Sequence, residues 1–106
     1  MQYKFVENKS INKMTQEELA KNTGDKAIKN KNIILSYMTQ FPPCAFTSQP
    51  VIDKFTGKTV FDANNARSDG VYTWYESEIY HFEHYNLKLN DDFIEHVLNQ
   101  INKRHN

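Results

Sequence analysis

Few residues in this chain are of types that do chemistry, and their spacing decides what each can do. Glu78 and His81 stand three apart, with His84 following within a turn. That is the spacing of a helical carboxylate and imidazole metal site, but such sites draw a second Glu-x-x-His pair from another helix. The adjacent Glu95 and His96 lack the spacing, so isolated surface imidazoles are expected, with no metal and no cofactor. Cys44, the single thiol, follows Pro43 with nothing local to activate it, and reads as a buried or half-buried inert side chain. Gly57-Lys58-Thr59 matches the tail of a phosphate-binding loop, yet Ile52 stands where that loop needs its first Gly. No serine elbow is present, and Asp91 and Asp92 are better explained by a helix dipole than by acid–base work. Enzymatic activity is not expected.

What remains is charge and aromatic surface. The chain has 106 residues with 13 basic and 13 acidic side chains, but the balance is uneven. Residues 1–60 hold nine Lys against five acids, whereas residues 61–106 hold four bases against eight acids. Between Asp69 and Glu95 seven acids face Lys88 alone. Such a stretch repels phosphate and attracts a basic partner. Seven Phe, six Tyr and one Trp make the chain 13% aromatic, which argues for a packed core rather than disorder. Its length suits one domain, 1–106, stable without a disulfide. Mean hydropathy is −0.76, and no run approaches the roughly 20 apolar residues of a membrane span. The opening residues lack the apolar core of a secretory signal, so a cytoplasmic location is expected.

The elements that position these residues can be read from periodicity and caps. Tyr3, Phe5 and Val6 among polar neighbours hint at a short strand. Thr15 and Glu18 have capping-box spacing, Met14 can staple onto Leu19, and Gly24 suits a left-handed stop. Ile33, Ile34, Tyr37, Met38 and Phe41 form a helical stripe ended by Pro42 and Pro43. Val51-Ile52 and Val60-Phe61 flank a turn at Thr56-Gly57, a hairpin signature. After Ser68-Asp69-Gly70, Thr73 and Glu76 have the spacing of another capping box, and Trp74, Tyr75, Ile79, Phe82 and Tyr85 fall on one helical side. The opposite side carries Glu76, Tyr80, Glu83 and His84, which exposes Tyr80 where its own domain does not pack. Glu78 falls at the core margin or bonds a polar partner. Asn90 caps a last helix striped by Phe93, Ile94, Val97, Leu98 and Ile101. The expected fold is mainly α (α+β): about four helices with a short β-hairpin, and Trp74, Phe82, Phe93 and Val97 buried.

Two resemblances bear on function. Residues Thr15 to Gly24 resemble the first helix and turn of a bacterial helix-turn-helix repressor, without a clear recognition helix after them. More of the chain is involved in the second. Ser68-Asp69-Gly70-Val71-Tyr72-Thr73-Trp74, then Glu78 to Leu87, then Asp92-Phe93-Ile94-Glu95-His96-Val97 resemble immunity proteins of contact-dependent growth inhibition and related polymorphic toxin systems. The resemblance implies a cytoplasmic inhibitor that binds a cognate toxin domain, commonly a nuclease. The helical wheel and charge count, independently, select Glu76, Tyr80, Glu83, Asp91, Asp92 and Glu95 as the expected toxin-binding surface, acids steering association and Tyr80 supplying area. The alternatives are a DNA-binding regulator using the Lys-rich half, and a subunit that self-associates through its Tyr and Trp face.

Overall fold

The computed structural model describes Lys4–Phe5 and residues 11–104. Strand β1 (Lys4–Phe5) leads to a 3-10 turn (Ile11–Lys13), helices α1 (Gln16–Lys21) and α2 (Lys31–Gln40), and strands β2 (Pro43–Ala45), β3 (Val51–Ile52), β4 (Thr59–Phe61), β5 (Ala66–Ser68) and β6 (Tyr72–Tyr75). Helices α3 (Glu76–Tyr85) and α4 (Asp91–Arg104) complete it. The expected strand near the start is present at Lys4–Phe5, while Tyr3 and Val6 lie outside the described residues. Among the described residues the architecture is α+β: four α-helices, a four-stranded sheet in the order β1-β6-β5-β2, and the separate β3-β4 hairpin.

Local chemistry explains most of the helices. Thr15 Oγ1 accepts from the Glu18 amide and Glu18 Oε1 accepts from the Thr15 amide, both at 3.1 Å, so the capping box forms as its spacing implies. Leu19 is buried and Met14 packs against the same core. Gly24 does not act as a left-handed stop. The helix closes at Asn22, whose amide and side chain turn back to the Glu18 carbonyl, leaving Gly24 in the following loop. In α2, Ile34, Tyr37 and Met38 are buried, whereas Ile33 remains 45% exposed.

The segment before α3 differs from expectation. Trp74 and Tyr75 belong to β6, not to the helix, and β6 pairs antiparallel with β5 and parallel with β1. The helix start is shifted by two residues: Tyr75 is the cap, without a side-chain cap bond, and Glu78 accepts from its amide at 3.2 Å. Three aromatics in four strand residues bury Tyr72 and Trp74 against α2 and α4, where β-propensity and packing override the helical spacing of Thr73 and Glu76. Trp74 Nε1 donates to the buried Met38 carbonyl at 3.0 Å, which ties β6 to α2. Trp74, Phe82, Phe93 and Val97 have no exposed surface, so the expected core is present.

Candidate functional site

The centre of the most distinctive surface is a buried carboxylate. Asp53 follows β3 and opens the turn that Gly57 closes at φ +76°, a conformation glycine adopts without strain. Its Oδ1 accepts from the amides of Phe55 (2.8 Å) and Thr56 (2.9 Å). Its Oδ2 accepts from the hydroxyls of Tyr80 (2.6 Å) and Tyr85 (2.5 Å) on α3. Burial opposes the charge, but the two phenols and two amides outweigh it and hold the carboxyl well below the usual range. The same bond to Asp53, aided by burial, pushes the Tyr80 phenol up to about 12 and raises Tyr85 as well. Both phenols therefore remain protonated donors at neutral pH, and the carboxylate is fully occupied.

This clamp sets out an aromatic face. Phe55 lies 4.3 Å from Tyr85 and Phe61 packs edge-on to Tyr80 at 6.2 Å. The His84 ring lies 4.5 Å from that of Tyr80, tilted to it. Despite these contacts Phe55 and Phe61 are 45% and 48% exposed, and the neighbouring Ile52 is 40% exposed. Glu83 on α3 and Asp62 after β4 are exposed acids flanking this face in sequence, while Lys58 in the turn is also exposed. Tyr80 is thus not the isolated outward side chain that its helical position suggested. It is half-buried against the β3-β4 hairpin, whose packing on α3 no local periodicity reveals.

The other expected contact residues separate. Glu76 is half-buried and paired with Arg67 at 2.9 Å. Arg67 also donates to the Thr39 and Phe41 carbonyls, so Glu76 belongs to a link between β5, α2 and α3. Asp91 is exposed at the rim of a cavity of about 290 Å³, beside Lys21, Lys26 and Lys88, with Phe82, Leu89 and Ile94 beneath. Asp92 and Glu95 are exposed on α4 and Glu83 on α3. Of the seven acids from Asp69 to Glu95, then, Glu78 and Asp69 are turned inward and Glu76 is paired. The stretch is less uniformly acidic at the surface than its sequence implies.

Asp69, between β5 and β6, repeats the clamp. Its Oδ2 accepts from Tyr37 (2.6 Å) and contacts His96 Nε2 at 2.7 Å, and its Oδ1 accepts from the amides of Val71 and Tyr72. Here too burial is outweighed by these bonds, and the carboxyl is held below its ordinary value. His96 is consequently not an isolated surface imidazole.

Neither is His81. It has no exposed surface, and both ring nitrogens are engaged, by Ser77 and by Lys54. Glu78, also buried, serves the Tyr75 amide and the Ser77 hydroxyl. The Glu78, His81 and His84 spacing therefore does not converge on a metal, and no group of three or more possible ligands occurs among the described residues. Cys44, expected to be at least half-buried, is exposed on the edge strand β2.

No protein family matches this chain. Neither the curated proteins nor the solved structures contain a match to it.

The sequence signals for both clamps were short. Asp53 with Gly57, and Asp69 with Gly70, are turn pairs in which an Asp side chain can bond amides two or three residues on. The tyrosines that complete each clamp come from 27 or more residues away.

Proposed function

We propose that this protein is a binding inhibitor of the immunity type, which neutralises a cognate bacterial toxin domain by covering it rather than by chemistry. The observation that carries the reading is the aromatic face of the β3-β4 hairpin and α3. Two half-exposed phenylalanines are held in place by a buried carboxylate bonded to two tyrosines. Rigid aromatic area is what concentrates binding energy in protein interfaces, because little freedom is lost on contact. The occupant is a toxin domain with an apolar socket and a basic rim, such as a nuclease, whose charge complements Glu83 and Asp62. Asp92 and Glu95 act at longer range, raising the rate of encounter. Among the described residues no helix is long and apolar enough to cross a membrane.

The test is co-expression with candidate toxin nuclease domains, scoring growth and co-purification. Wild type is expected to rescue growth and form a complex. Phe55→Ser with Phe61→Ser should fold and lose at least about thirtyfold in affinity, the loss expected of interface hot spots. Full binding by that folded double variant would place the interface elsewhere.

A second reading, a DNA-binding regulator, has one observation in its favour: Lys21, Lys26 and Lys88 meet around the cavity near α4. Residues 22–30 separate α1 from α2, longer than the turn of about three to four residues in a helix-turn-helix. A gel shift at two salt concentrations decides it, since phosphate binding must weaken steeply as salt rises.

A further inference from the structure

A second polar contact joins the hairpin turn to α3. The Lys54 amide lies 3.0 Å from His81 Nε2, and His81 Nδ1 lies 2.8 Å from the Ser77 carbonyl. An amide N–H can only donate and a carbonyl can only accept. Nε2 must therefore carry the lone pair and Nδ1 the proton, which fixes one neutral tautomer. We propose that His81 is a proton-operated latch: neutral, it holds Lys54 and with it Phe55 on α3; protonated, it pushes them away and takes the aromatic face apart. The effect on partner binding rests on the function proposed above, whereas the latch itself does not.

The physical argument is one of donors and room. A proton on Nε2 would set N–H against N–H on a ring that itself has no exposed surface. The ring has little freedom to turn away, being stacked on Tyr85 at 5.8 Å and edge-on to Tyr80 at 5.0 Å. The charged groups around it oppose one another. Asp53 of the turn favours the imidazolium, while Lys54 of the turn and His84 of α3 disfavour it. Asp53 cannot take the new proton's bond without giving up one it already accepts from Tyr80, Tyr85, Phe55 or Thr56. The Tyr80 and Tyr85 hydroxyls point to Asp53, and Glu78 is bound to Tyr75 and Ser77. Burial, the largest influence, pulls the ring below its ordinary value, so the latch is closed at neutral pH. The hairpin is suited to move because, among the described residues, β3 and β4 pair only with each other, outside the four-stranded sheet.

The experiment uses the full chain without a partner, followed by NMR from about pH 7.5 to about pH 5, the range in which imidazoles titrate. At the upper end the His81 ring nitrogens should show the Nδ1–H tautomer. On acidification Lys54 amide protection should fall by up to about tenfold per pH unit as the ring's midpoint is approached and be lost below it, together with the cross-peaks between Phe55 and Tyr85, while the Val97 amide holds. His81→Gln supplies an acceptor that does not titrate, and should keep the Lys54 bond and lose the transition; His84→Gln should leave it unchanged. An Nε2–H tautomer, a Lys54 amide protected while the ring titrates, or a ring neutral down to global unfolding would each overturn the latch. Should His81→Gln not fold, the wild-type ring and amide signals decide alone. If the latch opens but toxin affinity does not follow its midpoint, the latch stands and the proposed surface fails.

Discussion

At the residue scale, Asp53 does the work that the sequence pattern assigned to no one. A buried carboxylate is costly unless its lone pairs are filled, and Asp53 receives four donors. Two titrations follow from that arrangement. Asp53→Asn should return the Tyr80 phenol from about 12 toward the ordinary value of about 10, read as phenolate absorbance in alkali. The acid limb has the opposite sense. The folded carboxyls of Asp53 and Asp69 are lowered, so the native state binds fewer protons than the unfolded chain as pH falls below about 4. Their contribution is fully present above that unfolded value and is lost on acidification toward the folded values. Denaturant unfolding at neutral pH and in acid should show a smaller acid loss for Asp53→Asn than for wild type; equal losses would mean the charge is not what the clamp uses.

At the scale of elements, legibility followed the range of the interactions. The α1 cap and the stripes of α2 and α4 are written within a turn or two of chain, and each is present at or near its expected place. The β3-β4 hairpin was legible for the same reason, its strands being only six residues apart. Strands β2 and β5 have three residues each, too short for alternation to show, and β6 merges directly into α3 without a turn. What makes β6 a strand is pairing with β5 and with distant β1, information that no local window holds. The site is less legible: the helical wheel turns Tyr80 outward, but its partner Asp53 sits 27 residues away, so an internal contact reads as a free surface. Two substitutions weigh the legible elements. Thr15→Ala should cost about 1 kcal/mol through the lost cap. Phe93→Ala should cost about 3 to 5 kcal/mol, since Phe93 is fully buried against Trp74 and Tyr72. Denaturant midpoints compare the two directly, and a Phe93→Ala loss below about 1 kcal/mol would mean α4 is not docked.

For the whole molecule, neutral net charge conceals a division of labour among the acids. Glu76 is committed to Arg67 and hence to the fold, so reversing it tests stability and says little about recognition. Glu83, Asp92 and Glu95 are exposed and carry charge outward. Exposed charges steer encounter more than they hold a complex, whereas desolvated aromatics set its lifetime. The two contributions should therefore separate in the kinetics of toxin binding. Glu83→Lys with Glu95→Lys is expected to lower the association rate by about tenfold at low salt, and added salt should shrink the difference because screening acts on the steering. Phe55→Ser should instead raise the dissociation rate and leave the association rate and its salt dependence nearly unchanged. Surface-plasmon measurements at two ionic strengths resolve both rates. If charge reversal changed only dissociation, the acids would lie inside the contact and the aromatic face would not be its centre.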